Sequence, residues 1–330
     1  MRNMKRHGYL YEKIFTLENV EAAWHAYNKH RPLELRVEYD PVRAAQILER
    51  MKTDFRECIG KPRIKYIFEA GKRRRLQIPS FASSVAQLAL WNVCGEFVER
   101  RIHAHSYSSR KGMGGHLAAR KISRFVHTNA DGAARYALTF DIRKYYQHIN
   151  PVIMMDRLRT VFKDARVLEL FKIVLDSADE GLPIGYPFSH ALANLYLVPL
   201  YMLIMSVKGV SRGDVYMDNH VFFSAHKKPL HRAREYAQGW LRGIGCELKN
   251  DWQVAPVRSR GVKICGFVIG VHGVRLYRRL WRRTLRNFDR LTETWDYHEY
   301  LSLMSRKGWL MAANKHHSNK FKIEGGYLWR

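Results

Sequence analysis

Apolar residues recur at helical spacing over Leu17–Tyr27 and Pro41–Met51, and Asp40 stands where it would cap the second helix ahead of Pro41. The period then shortens. Ile64–Glu69 and Arg75–Ile78 alternate around the pair Ala70-Gly71, which predicts a β-hairpin. A long helix is predicted from about Ser83 to Arg101, then a glycine-rich basic loop over Ser106–Gly115 and a helix to about Thr128. Tyr136–Asp141 is a short apolar strand that ends in an acid, Pro151–Ala178 suits two helices, and Gly181–Gly185 a turn. Val215–Phe223 predicts a hairpin with Asp218-Asn219 at its tip. Lys228–Gly243 has an amphipathic helical pattern, and short strands follow near Trp252–Val257 and Val262–Ile269. From residue 271 onward the chain looks helical and basic. Helices and strands in this irregular order predict one continuous α+β body with a helical appendage.

The run Ala191–Val207 approaches the length of a membrane span, but Asn194, Pro199 and Ser206 interrupt it. It predicts a buried helix ending near Pro199, and no membrane partner. Met1 leads into Arg2, Lys5 and Arg6 with no apolar signal core behind them. The four cysteines, Cys58, Cys94, Cys246 and Cys265, are far apart and form no Cys-x-x-Cys pair. They suggest neither a zinc site nor a disulfide framework, which suits a reducing cytoplasm.

Charge changes the picture most. Over 330 residues, 57 Lys+Arg stand against 30 Asp+Glu, a net +27. A surplus that large repels itself unless a polyanion binds, and nucleic acid is the first expectation, ahead of an anionic membrane. Against that background two acids at strand ends stand out. Asp141 closes Tyr136–Phe140, and Asp218 lies within Val215–Phe223. Carboxylates on neighbouring buried strands are desolvated and repel unless a cation sits between them. Taken alone, Asp218-Asn219 also suits a plain hairpin turn and Asp141 a helix N-cap.

The company of these acids resembles reverse transcriptases, in the right order over roughly residues 60 to 290. Phe140–Ile149 (FDIRKYYQHI) is similar to the first palm motif, and Tyr216–Asn219 (YMDN) to the Tyr-x-Asp-Asp hairpin. Gly181–His190 (GLPIGYPFSH) with Ala193–Tyr196 (ANLY) resembles the motif that shapes the nucleotide pocket. Gly71–Pro79 (GKRRRLQIP) resembles the basic fingers hairpin, Ser106–Gly112 (SYSSRKG) the loop behind it, and Gly261–Phe267 (GVKICGF) the primer grip. An apolar residue at Ile184 in Ile184-Gly185-x-x-x-Ser189, and the opening Met4–Glu12 (MKRHGYLYE), are similar to bacterial and phage-type enzymes, closest to those of diversity-generating retroelements and defence systems.

The resemblance implies a right-hand polymerase: a helical N-terminal extension over 1–55, fingers over 56–130, palm over 131–270 with a helical part at 150–180, and a basic helical thumb over 271–330. It implies RNA-directed DNA synthesis from a DNA primer and dNTPs on an RNA template, a cytoplasmic setting, and room for an accessory protein. Asp141 and Asp218, with the Ile142 carbonyl, would hold Mg²⁺ or Mn²⁺, and Asn219 would complete the catalytic group. Arg73, Arg75, Tyr146, Ile184, Gly185, Ser189 and His190 would meet the nucleotide, Tyr146 at the position that excludes a ribose 2′-hydroxyl. Cys265, Gly266 and Phe267 would form the primer grip, and Arg110, Lys111, Arg275, Arg279, Arg282, Arg283 and Arg286 would contact nucleic acid. No nuclease or maturase motif is expected beyond the thumb. Asn219 replaces the family's second Asp and His190 its usual Gln. The first change leaves open a catalytically weak RNA-binding scaffold or an RNA-dependent RNA polymerase.

Overall fold

The computed structural model describes residues 5–69, 72–294 and 297–304, and beyond these 306, 309, 313, 322, 323, 326 and 327. Helices α1 (Tyr11–Ile14), α2 (Leu17–Asn28), α3 (Pro41–Thr53) and α4 (Phe55–Ile59) precede the hairpin β1 (Arg63–Glu69) and β2 (Lys72–Ile78) and the long helix α5 (Phe81–Glu99). Asp40 accepts from the N–H groups of Val42 (2.9 Å) and Arg43 (3.2 Å), and Pro41 fills a first-turn position that needs no donor. Met4 and the turn expected at Ala70-Gly71 lie outside the described residues. The strands flanking that turn pair antiparallel from Arg63↔Ile78 to Glu69↔Lys72.

Next come α6 (Gly115–Asn129), β3 (Tyr136–Asp141), α7 (Tyr145–His148), α8 (Pro151–Arg159), α9 (Ala165–Asp176), α10 (Ser189–Tyr196), α11 (Val198–Met205), β4 (Arg212–Tyr216) and β5 (Asn219–Ser224). The chain continues through α12 (Lys227–Gly243), β6 (Gln253–Pro256), α13 (Val257–Arg260), β7 (Val262–Ile264), β8 (Phe267–Gly270) and β9 (Gly273–Leu276). Helices α14 (Arg278–Thr294) and α15 (Tyr297–Met304) and the short pair β10 (Lys322–Ile323) and β11 (Gly326–Tyr327) follow.

Two expectations are corrected here. The apolar run is two helices broken at Leu197, and Pro199 sits in the first turn of α11 rather than at a helix end. Among the described residues no helix is long and apolar enough to cross a membrane. The region after 271 begins with a strand, because Gly270↔Gly273 closes a tight turn and Val274 and Leu276 alternate into the core.

Two compact units divide the chain. One comprises residues 1–103, 144–199 and 241–246, the other 104–143, 200–240 and 247–330, so neither coincides with one stretch of sequence. The first is built on helices around aromatic side chains. Trp24 is fully buried, donates from Nε1 to the Val37 carbonyl (2.9 Å) and meets Phe81 edge-on at 4.5 Å. Phe171 stacks on Phe162 at 5.6 Å, and Phe188 stacks on Trp91 at 5.3 Å.

The second unit carries an antiparallel sheet in the order β4-β5-β3-β6 and a three-stranded sheet β7-β8-β9. One apolar cluster joins them. It takes Ala118, Ile122 and Val126 from α6, Val221 and Phe223 from β5, and Phe267 and Ile269 from β8, with Leu280, Trp281 and Phe288 of α14 packed on its side. Each large apolar side chain so buried contributes about 1.5–3 kcal/mol.

Inside this unit lies a buried ion pair the sequence did not announce. Arg212 grips Asp214 through two N–H groups at 2.7 and 2.8 Å, Tyr107 donates its hydroxyl at 2.8 Å, and His105 lies at 3.1 Å. Burial alone would raise the Asp214 pKa, but hydrogen bonds from Arg212, His105 and Tyr107, together with the Arg212 charge, hold it below the usual carboxylate range. A depressed folded-state pKa gives stability that is present above the unfolded aspartate value and is lost as pH falls through the folded value. Asp214→Asn should therefore cost about 3 kcal/mol at neutral pH by stranding Arg212. That gap should shrink below about pH 4. Urea unfolding of both proteins at neutral and acid pH checks this, and a gap that stays constant into acid would rule out an ionised Asp214.

Candidate active site

Strand register brings the two sequence-predicted acids together. β3 pairs with β5 so that Asp141 lies opposite Asn219, and β5 pairs with β4 so that Tyr216 lies opposite Asn219. The hairpin tip is therefore Met217-Asp218, not Asp218-Asn219. Asn219 is the first residue of β5, held in the ladder by partners on both sides, and Met217 takes the positive φ (56°) that the tight turn needs. The turn alternative for Asp218 holds as local geometry, since Asp218 does sit in a two-residue loop. The N-cap alternative for Asp141 does not, because the next helix starts after Lys144.

The Asp218 backbone is pinned. Its carbonyl accepts from the Ile142 N–H (3.2 Å) and lies 3.1 Å from His220 Nδ1. His220 is buried and lies near-parallel to Phe140 (4.7 Å, 8°) and Phe222 (6.3 Å, 13°), which are 6.1 Å from each other, and desolvation takes its pKa down to about 4. It is therefore a neutral ring whose Nδ1–H donates to that carbonyl. Sequence reading missed His220, although its place one residue beyond the YMDN run on a strand with buried neighbours marks it as core.

The electrostatics centre on Asp141. Burial, and then the like charge of Asp218, push its carboxyl up to about 6 against the pull of Lys249. Lys249 forms an ion pair with Asp141 Oδ1 and donates its backbone N–H to the Asp141 carbonyl (2.8 Å). The Asn219 amide nitrogen donates to Asp141 Oδ2 (3.0 Å) and lies 3.4 Å from Asp218 Oδ1. Lys249 was also missed; it comes 108 positions after Asp141, and only the bridge between Ile142 and Leu248 brings it there. Two carboxylates that repel form an oxygen donor set suited to a hard divalent cation. Among the described residues no cluster of three or more His, Cys, Asp or Glu side chains gathers to hold a metal, so such an ion would need substrate oxygens or water to complete its shell.

The expected nucleotide-pocket residues belong to the first unit, and there the motif is a folded loop. Gly185 has φ 125°, and a Cβ on it would stand 2.5 Å from the Gln77 carbonyl oxygen; the Ile184 carbonyl accepts from Gln77 N–H (2.9 Å). Ser189 is buried, its hydroxyl committed to the Pro183 carbonyl (2.6 Å). Tyr145 is buried and donates to the Ala193 carbonyl (2.6 Å), whereas Tyr146 is half-exposed with its hydroxyl 2.5 Å from His190 Nδ1. The His190 edge reaches solvent, yet desolvation by the surrounding protein lowers its pKa. Arg73 is exposed and stacks over Tyr66 at 3.9 Å, while Arg75 is ion-paired with Asp179.

The remaining predicted residues are in the second unit. Cys265 and Gly266 form the two-residue turn between β7 and β8, with φ 51° and 76°. Burial pushes the Cys265 thiol far up, and Phe267 is buried against Trp309 (5.0 Å), so an exposed contact from this turn is made by its backbone. The segment Ser106–Ser108 is buried beside β4, Tyr107 N–H donating to the Val215 carbonyl (3.0 Å). Arg110 reaches back to the Ser106 carbonyl (3.0 Å), and Lys111 is exposed. Arg275 projects from β9, not from the helix, and Arg279, Arg282, Arg283 and Arg286 line the exposed face of α14.

No protein-family model matches this chain, and no curated protein matches its sequence. Solved structures do match its fold. Apo telomerase from Candida tropicalis aligns with TM-score 0.52 at 11% identity, over 90% of this chain and 59% of that one. The same enzyme truncated from its C-terminal domain aligns with TM-score 0.50 at 12% identity, over 72% and 61%. Telomerase from Candida albicans in complex with a TWJ fragment of telomeric RNA aligns with TM-score 0.52 at 8% identity, over 75% and 54%. The fold is thus the α+β fold of a reverse-transcriptase-like polymerase. The chain spans a little over half the length of the chains it matches.

The Ile184-Gly185 loop gives a direct check. Gly185→Ala adds a methyl against backbone at a φ few side chains adopt, and should cost about 1–3 kcal/mol. A depressed melting temperature is expected, and an unchanged one would mean the loop shifts freely.

Proposed function

We propose that this chain is an RNA-directed DNA polymerase that extends a DNA primer on an RNA template, in a bacterial or phage retroelement or defence system. One observation carries the reading: on a reverse-transcriptase-like fold, strand register sets Asp141 against the hairpin bearing Asp218 and Asn219. The two carboxylates and the Ile142 carbonyl would hold Mg²⁺, or Mn²⁺. When bound between them, such ions supply the charge that activates a primer hydroxyl and steadies the leaving pyrophosphate.

The chain's own residues have separate tasks. Asp141 and Asp218 bind and orient, and Asn219 adds a neutral amide where a third carboxylate would raise the repulsion. Lys249 neutralises Asp141, a charge that a bound cation would supply in its place. Tyr146 presents a ring held by His190, which suits it to exclude a ribose 2′-hydroxyl and argues against RNA synthesis. The exposed arginines of α14 would track a phosphate backbone. RNA as partner draws support from the neighbour solved with an RNA fragment. A second reading, an RNA-binding scaffold with weak catalysis, is favoured by Asn219 and by the Lys249–Asp141 ion pair.

Primer extension on an RNA template, with dNTPs or NTPs and in Mg²⁺ or Mn²⁺, separates the two. Asp141→Ala and Asp218→Ala should each abolish incorporation, by 10³-fold or more on the scale of lost charge stabilisation, while the thermal unfolding profile stays cooperative. Near-normal extension by either variant would remove the metal assignment, and an inactive parent protein would favour the scaffold.

Sugar selection is checked separately. Tyr146 is half-exposed and outside the packed core, so Tyr146→Ala should fold and admit ribonucleotides, whereas Tyr145→Ala should unfold more readily. Unchanged dNTP preference in the Tyr146 variant would place the discriminating ring elsewhere.

A further inference from the structure

One groove in the second unit takes no part in the constellation above. Helix α6 sends Ala118, Ala119, Ile122 and Val126 into the core. Its opposite stripe, His116, Arg120, Ser123, Arg124 and His127, walls a cavity of about 840 Å³ whose far side includes His272 in the β8–β9 turn. His127 Nδ1 lies 3.3 Å from the Val271 carbonyl, across the groove. The β8–β9 turn is at the opposite end of β8 from the Cys265-Gly266 turn.

Among the described residues, none that lines the groove is acidic. Three other arginines of this unit have carboxylate partners: Arg212 has Asp214, Arg234 has Glu235 and Arg258 has Asp131. Among the described residues, Arg120 and Arg124 are exposed and no carboxylate pairs with them. They stand one helical turn apart, about 6 Å along the axis, where like charges destabilise a helix unless an anion lies over them. That spacing is of the order of the step between phosphates on one strand. The hydroxyl of Ser123 and the imidazole of His116 offer donors and acceptors to a ribose 2′-hydroxyl. Leu117, Val271 and Val274 also line the groove, but none is an exposed side chain, so no projecting apolar anchor is offered to a protein partner.

We propose that this groove binds a single strand of RNA, the unpaired part of the template or a cognate RNA, with Arg120 and Arg124 on neighbouring phosphates. The proposal rests on the reading of the chain as an RNA-templated polymerase, and its test is arranged to fail separately from that reading.

Fluorescence anisotropy with the full chain would compare a blunt RNA–DNA duplex with the same duplex carrying a long unpaired RNA extension. The extension should tighten binding by the parent protein about tenfold, and Arg120→Gln/Arg124→Gln should lose most of that gain while binding the blunt duplex and extending its primer as before. If both arginines touch single-stranded phosphates, the log–log salt slope on the extended probe should flatten by about 1.4, at roughly 0.7 per phosphate. Arg120→Lys/Arg124→Lys should keep most of the gain, which guards against a folding artefact. Retention of the full gain by the Gln variant would overturn the proposal, as would equal loss on both probes, which marks diffuse charge. A DNA extension that is bound and lost equally would overturn the assignment to RNA. Failure of the parent protein to extend any primer would sink the polymerase reading and leave the anisotropy result standing.

Discussion

Repulsion between Asp141 and Asp218 is the constraint around which the second unit is arranged. A strand that ends in a buried acid is costly, and a second acid beside it costs more. The protein meets that cost with backbone and packing: three-strand register fixes Asn219 between Tyr216 and Asp141, and the Asp218 carbonyl accepts from Ile142 while His220 backs it from within the core. Phe140, His220 and Phe222 form the stack behind the acids. The packing of that stack fixes the backbone on which the two half-buried acids sit.

The buried Arg212–Asp214 pair sits in β4, two residues from the hairpin's Tyr216. Its partners His105 and Tyr107 come from the segment that runs beside β4. A largely buried ion pair earns little net stability against well-packed apolar residues, but it strongly penalises any other arrangement, because each charge stranded alone costs several kcal/mol. Here it ties the Ser106–Gly112 loop to one position on the strand that leads into the Asp218 hairpin. Placement, rather than stability, is the effect that the magnitudes favour.

Much of this was legible in the sequence, and the exceptions have physical causes. Strand β3 was found at its observed ends because apolar residues run without a break into an acid, and Asp40 and the amphipathic α14 follow local rules. The hairpin tip was misplaced by one residue because Asp-Asn suits a tight turn, while the ladder partners of Asn219 on two other strands are invisible locally. β9 was hidden by the basic composition around it; only alternation at Val274 and Leu276 betrays it. Lys249 and His220 were missed for opposite reasons: one reaches the site by a distant bridge, and the other lies next to the motif but has its role set by two rings stacked on it.

The distribution of charge completes the argument. Net charge of +27 disfavours a folded chain through self-repulsion, and among the described residues no ion pair engages Arg279, Arg282 or Arg286 on α14, or Arg120 or Arg124 on α6. On α14 the apolar face, Leu280, Trp281, Leu285 and Phe288, packs on the core, leaving Arg279, Arg282 and Arg286 outward at spacings of three and four. On α6 the same division leaves Arg120 and Arg124 outward. Helices with like charges one turn apart lose several tenths of a kcal/mol per pair, a cost with no return in the free protein. Phosphate bound along either face, as proposed, would turn that cost into counterion release.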